Sequence, residues 1–199
     1  MSSLYKDMST ILVDAQYGDF KIEHFTVSKG NVRALMDGMP PGEYVRLMGN
    51  GRLLMCDTNM ERRTNAHFVT WAHGDVLIGG LGLGMIVLAI QDKPDVKSIT
   101  IIEKSNDVIM LMLNQPNIYF NEKVNIVYGD VFTWKPEKGQ KFDCIYMNIW
   151  PYINEDVYHD EMVPLKRRYA HWLKPKSESP DRFNTCWAEW YAKTGRRLV

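Results

Sequence analysis

Between Asp75 and Ile90 the chain reads DVLIGGLGLGMIVLAI, an apolar run that breaks into glycines and resumes as a second apolar run. Gly79, Gly80, Gly82 and Gly84 make the break. Glycine tolerates left-handed backbone and lets a ligand come close to the main chain. A strand that stops in such a turn and restarts as a helix offers backbone N–H groups, and the positive end of the helix dipole, to whatever binds there. About 20 residues further on, the apolar run SITII ends in Glu103, where a carboxylate can take both hydroxyls of a ribose. These two features together predict a nucleoside ligand.

The elements that must position these residues follow from the surrounding pattern. From Asp75 onward, short apolar runs (VLIGG, SITII, VNIVYG and FDCIYMN) alternate with helical stretches. One helix extends to about Gln91, and a second starts at the Ser105 cap and stops before Pro116. Nearly continuous apolar strands with helices between them predict a parallel sheet covered on both faces, an α/β doubly wound fold. Upstream, FKIEHFTV and EYVRLMGNGRLLMCD are strand-forming, Asn50-Gly51 is a strong hairpin signal, and Met39-Pro40-Pro41-Gly42 marks a turn. Thr58 with Glu61 reads as a capping box, giving a helix from Asn59 to His73 that stops at Gly74. The expected organisation is a β-rich region over 1–57 and a main domain over 58–199. Downstream, a helix from about Glu155 to Leu173 carries a kink at Pro164, KSESPDR is a loop, and FNTCWAEWYAKTG reads as a terminal helix. No further strand is evident, so the sheet is expected to be short on one side.

The 199 residues are 45% hydrophobic and 24% charged, enough for one sizeable core. Lys+Arg and Asp+Glu each count 24, so no overall field would hold nucleic acid or an anionic membrane. Lys166, Arg167 and Arg168 form the compact basic cluster, with Arg196 and Arg197 at the tail; nucleic acid is a less favoured partner than a small molecule. Cys56, Cys144 and Cys186 lie far apart, and neither they nor His24, His67, His73, His159 and His171 show metal-ligand spacing. Free thiols, no metal and a cytoplasmic protein are expected. No segment approaches the roughly 18 apolar residues of a membrane span, so no membrane partner is expected.

Dinucleotide folds space these glycines as GxGxxG, with the last glycine allowing tight helix packing. Here Met85 stands where that glycine would fall, and the spacing is GxGxG. The runs VLIGGLGLG, ITIIEKSNDVI, VNIVYGDVFTW and FDCIYMNIWP, in this order, resemble the class I S-adenosylmethionine-dependent methyltransferase superfamily, and most of all its spermidine-synthase-like branch, over residues 44 to 151. The resemblance implies a Rossmann-like methyltransferase fold and S-adenosylmethionine (SAM) or decarboxylated SAM as cofactor. Gly80, Gly82 and Gly84 would line its methionine and ribose part, Glu103 would hold the ribose hydroxyls, and Asp130 with Val131 would meet the adenine, with Gly79, Lys104 and Asn148 as further cofactor-binding candidates. Asn148 and Trp150 would stand beside the transferred group as the candidate catalytic residues. Each also has a plain structural reading: Glu103 as an acid at a helix start, Asp130 as a turn residue, Trp150-Pro151 as packing under the next helix.

In the spermidine-synthase-like branch the segment at Asn148 carries acids that hold and deprotonate a polyamine. An amide is no general base. Methyl transfer asks less of side chains, because in-line positioning and exclusion of water supply much of the rate. The sequence therefore favours a SAM-dependent methyltransferase acting on a small molecule. The alternatives are a polyamine aminopropyltransferase and a SAM-fold binding protein without turnover. The N-terminal strands, with Tyr44, Leu47 and Leu53 to Met55, either pair with a second copy in a homodimer or fold back over the crevice.

Overall fold

The computed structural model describes residues 4–36 and 38–198 of the chain. Its N-terminal sheet is antiparallel and runs in chain order: β1 (Ala15–Tyr17), β2 (Phe20–Val27), β3 (Gly42–Gly49) and β4 (Arg52–Cys56). The short helices α1 (Met8–Ile11) and α2 (Val32–Met36) precede it and interrupt it. The β3–β4 hairpin closes where the sequence places it, with Asn50 at φ 51 and Gly51 at φ 73, as a turn with two left-handed residues requires.

Helix α3 (Asn59–Trp71) follows, but the expected capping box does not form: Thr58 makes no side-chain cap hydrogen bond. Glu61 turns inward instead and is buried against Asn65. The helix also ends before Gly74. That glycine opens the next strand at φ 62, where a Cβ would lie 2.0 Å from a carboxylate oxygen of Asp143.

The second sheet holds β5 (Gly74–Gly79), β6 (Val96–Glu103), β7 (Val124–Tyr128), β8 (Cys144–Met147) and β9 (Phe183–Cys186), in the order β7-β6-β5-β8-β9. Every neighbouring pair is parallel. Helices α4 (Met85–Ile90) and α5 (Asn106–Leu113) cross between the first three strands, and Ser105 caps α5 by accepting from Val108 N. The chain leaves β5 toward one edge and returns on the other side at β8. That reversal opens a crevice beyond the carboxyl ends of the two strands.

Two expectations about the C-terminal third are corrected. Residues 183–186, expected in a terminal helix, form β9 beside β8, so the sheet is not short on that side; only α7 (Glu189–Thr194) is helical. All four residues of β8 are buried, and an unpaired edge there would leave its backbone groups without partners. The expected long helix is divided into a π-helical turn (Val157–Met162), α6 (Val163–Tyr169) and a 3-10 turn (Ala170–Trp172). Pro164 sits at the first turn of α6, where its missing N–H costs least, and the wider turn just before it absorbs the change of register.

The two sheets share a core. Ile22, Val45 and Leu47 of the antiparallel sheet join Ile78, Leu83 and Met85 of the doubly wound one in a single apolar cluster. A second cluster, with Leu77, Ile145, Met147, Trp150, Leu165 and Tyr169, covers the opposite face. Polar ties support the junction. Buried Asp57 accepts from Val45 N at 2.8 Å, and Gln115, 3% exposed, takes Val13 N at 2.8 Å and gives to Val13 O at 3.2 Å. Gln115→Ala strands both Val13 groups, so thermal denaturation should show a loss of about 2 kcal/mol, some 6 °C in Tm. An unchanged Tm would mean that water replaces the amide without cost. Among the described residues no helix is long and apolar enough to cross a membrane.

Candidate functional site

The carboxyl ends of β5, β6, β7 and β8 open on a cavity of about 370 Å³, a size suited to a small organic ligand. Gly80, Gly82, Glu103, Lys104, Asp130, Val131, Asn148 and Trp150 all line it. Gly79 and Gly84 do not. A Cβ on Gly79 would meet Met147 Sδ at 2.6 Å, and one on Gly84 would meet Met112 Cε at 3.2 Å, so both glycines serve packing beneath the turn. Phe20, Leu47, Leu54 and Met55 form an apolar roof. The N-terminal sheet thus folds back over the crevice.

Four of the glycine turn's N–H groups are turned into the protein rather than to the cavity as the sequence led one to expect, and among the described residues only Gly82 N of the turn finds no acceptor. Gly80 N donates to Ile102 O at 2.8 Å, Leu81 N to Glu103 Oε2 at 2.8 Å, Leu83 N to Met55 Sδ at 3.3 Å and Gly84 N to Leu81 O at 2.9 Å. Nor does α4, with six residues, offer much of a dipole. A turn with so few open donors is poorly suited to phosphate. The lining charges agree: Glu61, Glu103, Asp130 and Glu161 face one cation, Lys104.

Glu103 is held at both oxygens, Oε1 by Ser105 N and Oε2 by Leu81 N, each at 2.8 Å. Each oxygen keeps a second lone pair, so the carboxylate is aimed without being used up. Asp130 accepts from Phe132 N at 2.9 Å and pairs with Lys104 at 2.9 Å. The Lys104 ammonium beside it holds the Asp130 carboxyl below the usual range, which keeps it an acceptor. At the tip of β8, Asn148 N donates to Gly79 O at 2.8 Å and ties the two central strands together. Trp150 is 7% exposed, belongs to the second core cluster and donates from Nε1 to Glu161 Oε2 at 2.8 Å. Tyr152, 67% exposed, stands at the mouth.

Sequence reading missed a carboxylate. Glu61 of α3 lines the cavity and is 6% exposed. Its Oε2 accepts from Asn65 Nδ2 at 3.1 Å, and Asn65 Oδ1 in turn accepts from Tyr146 Oη at 2.8 Å and from Asn148 Nδ2 at 3.4 Å. The tyrosine keeps its proton to donate, since burial raises its phenol well above the ordinary value. A chain Asn148, Asn65, Glu61 therefore runs along the wall with its donors and acceptors in fixed order. One signal was available: Glu61 and Asn65 share the helical face of buried Phe68 and Val69, where polar residues are unusual.

Burial pushes the Glu61 carboxyl up to about 7, against 4.5 ordinarily. The folded state therefore favours the protonated form. The stabilisation this gives is complete below pH 4.5 and is lost as pH rises to about 7, on the order of 3 kcal/mol in all. Melting temperatures should fall over that interval in the parent protein and fall less in Glu61→Gln; parallel curves would show that Glu61 does not titrate there.

The remaining candidates are accounted for elsewhere. Lys166 pairs with Glu189, and Arg168 donates to Thr133 O and Trp134 O, while none of Lys166, Arg167 and Arg168 lines the cavity. The three cysteines are free, and burial raises their thiols, Cys144 to about 12. No group of three or more His, Cys, Asp or Glu residues able to hold a metal occurs among the described residues.

No protein-family model matches the chain, and no curated protein does. Solved structures do. The plantazolicin methyltransferase BpumL, in complex with a triazolic desmethylPZN analogue and SAH, is 18% identical with a TM-score of 0.44, over 59% of this chain and 45% of that one. The CcbJ methyltransferase from Streptomyces caelestis is 18% identical with a TM-score of 0.43, over 58% and 46%. A spermidine synthase in complex with the transition-state analogue AdoDATO is 15% identical with a TM-score of 0.49, over 81% and 52%. The chain spans about half the length of each of these structures. Its own strand order, all-parallel pairing and crevice define a doubly wound, Rossmann-like α/β fold, with a separate antiparallel sheet added at the N-terminus.

Proposed function

We propose that the crevice binds S-adenosylmethionine and that the protein transfers the methyl group to a small-molecule acceptor. One observation carries this reading: Glu103 and Asp130, at the tips of neighbouring strands, converge on a single cavity whose glycine turn keeps few open N–H donors. Such a site offers carboxylate acceptors to hydroxyls and an amine, and a negative lining to a sulfonium, but little for a pyrophosphate. In this reading Glu103 takes the ribose hydroxyls. Asp130, kept ionised by Lys104, takes the adenine amino group, with the Val131 N–H beside it. Gly80 and Gly82 let the methionine portion lie against the backbone. Asn148 and Trp150 border the acceptor.

A bound sulfonium supplies its own leaving group. What remains for the chain is in-line positioning and exclusion of water. The apolar roof of Phe20, Leu47, Leu54 and Met55 serves the second purpose.

One feature favours a second reading, aminopropyl transfer from decarboxylated SAM. The cavity's lining cation, Lys104, is paired with Asp130, so a cofactor carboxylate finds no cationic partner among the lining residues. Calorimetric titration with SAM and with decarboxylated SAM separates the two. Tighter binding of SAM is the expected result; a tenfold or greater preference for the decarboxylated form selects the second reading, and binding of neither overturns both.

A further inference from the structure

We infer that two residues of α6, Arg168 and Tyr169, are positioning residues that set base selectivity: they hold the turn after β7 so that the crevice takes a 6-aminopurine and rejects a 6-oxopurine. The inference rests on the cofactor reading above and adds the element that makes its base site selective. Neither residue lines the cavity. Both act on it through the main chain of residues 130–134.

The turn starts at Asp130, whose own groups close it. Phe132 N donates to Asp130 Oδ1 at 2.9 Å, and Thr133 N and Trp134 N donate to Asp130 O at 2.9 and 2.7 Å. One N–H is left over. Val131, 5% exposed and on the cavity wall, finds no acceptor for its N–H among the described residues. A main-chain donor so placed needs an acceptor from the ligand. Beside it the ionised Asp130 carboxylate can only accept. The pair therefore reads two adjacent groups in a set order, an exocyclic amine for Asp130 and an unprotonated ring nitrogen for Val131. A 6-oxopurine presents the reverse, a carbonyl oxygen and a protonated ring nitrogen, and sets acceptor against acceptor and donor against donor.

That order lasts only while the backbone at Val131 keeps its orientation, and α6 fixes it from behind through three carbonyls. Tyr169 Oη donates to Val131 O at 2.8 Å, and Arg168 Nη2 donates to Thr133 O at 3.1 Å and to Trp134 O at 3.0 Å. Both donors are themselves held. Tyr169 is fully buried in the same apolar cluster as Val131, and burial pushes its phenol up to about 12, so it stays protonated. Arg168 lies over the Trp172 ring at 5.8 Å, and its Nε is buried with no acceptor among the described residues. Leaving that donor unmatched is unfavourable, and the two carbonyl contacts of Nη2 are what the guanidinium gains by staying there. With its carbonyls drawn toward α6, the turn leaves the Val131 N–H and the Asp130 carboxylate to the cavity.

The test uses the full chain with 5′-methylthioadenosine and 5′-methylthioinosine, thioether nucleosides that lack the amino-acid tail and differ only in the base. Calorimetry gives the ratio of their Kd values. In the parent protein the adenine nucleoside should bind about a hundredfold or more tightly, because both contacts are inverted in the other base. Tyr169→Phe and Arg168→Met should each lower that ratio about tenfold, by weakening the adenine nucleoside and leaving the other nearly unchanged. Arg168 is only half-buried, so its variant keeps the test open should Tyr169→Phe fail to fold. Tyr146→Phe is the control: it loses a buried phenol bond of the same 2.8 Å length, to Asn65 on another wall, and should keep the parent ratio whatever its Tm. The parent ratio in either α6 variant, even with a lowered Tm, overturns the inference and leaves the cofactor reading intact, as does an equal fall in Tyr146→Phe. A parent protein that binds both nucleosides equally overturns the base assignment to Asp130 and Val131 instead, and one that binds neither overturns the cofactor reading; the inference falls with both.

Discussion

Glu103→Ala is expected to weaken SAM binding by about a hundredfold or more, as measured by calorimetry. The proposed ribose contacts are charge-assisted, and each is worth roughly 1.5–3 kcal/mol when its partner is left behind. Two of them correspond to a factor of at least about 100, at 1.4 kcal/mol per tenfold. The alanine also releases Leu81 N and Ser105 N, both held by this carboxylate at 2.8 Å, so the glycine turn loses its brace. A modest fall in Tm should accompany the lost affinity. Glu103→Gln isolates the charge: its amide keeps one acceptor but turns an NH₂ toward Leu81 N or Ser105 N, so binding should fall to an intermediate value. An unchanged Kd in the alanine variant would remove the ribose assignment.

Gly80→Ala should be the most damaging small substitution at the site. Gly80 has φ 91, and a Cβ there would stand 2.3 Å from the carbonyl oxygen of Asn148. Neither neighbour can yield cheaply, because the obstacle is the backbone of β8 and that backbone is pinned by Asn148 N to Gly79 O at 2.8 Å. Strain of about 1–3 kcal/mol for the left-handed backbone and a similar amount for overpacking make a loss of about 4 kcal/mol, near 10 °C in Tm. Spreading β5 from β8 also moves Asn148 away from Asn65, so cofactor binding and turnover should fall together. Gly51→Ala, where no atom lies within 4 Å of the added Cβ at φ 73, carries the backbone strain without the collision and should cost distinctly less. Equal losses would assign the whole Gly80 effect to φ.

The parallel strands were legible because each is a short apolar run closed by a polar residue, and those closing residues, Glu103, Asp130 and Asn148, are the ones the sheet gathers at one end. Local chemistry also placed the Asn50-Gly51 hairpin and the Ser105 cap correctly. Strand β9 was not legible. FNTC looks helical next to the aromatics that follow it, and only the edge of β8 decides that these four residues extend. Glu61 was misread for a related reason: three residues after Thr58 it satisfies a local capping rule, but burial against Asn65 overrides that rule.

The sequence by itself determined the doubly wound sheet and the glycine and acid positions at its carboxyl edge, because strand periodicity and turn chemistry are local properties. The tertiary structure alone decided three things. Most of the turn's N–H groups are spent internally, because Glu103, Ile102 and Met55 come from other strands to take three of them. The N-terminal sheet roofs the cavity, because its apolar face shares one core with β5 and α4. And a carboxylate from α3 reaches the wall beside Asn148, because helix packing sets residues 87 apart in sequence, Glu61 and Asn148, on either side of one asparagine.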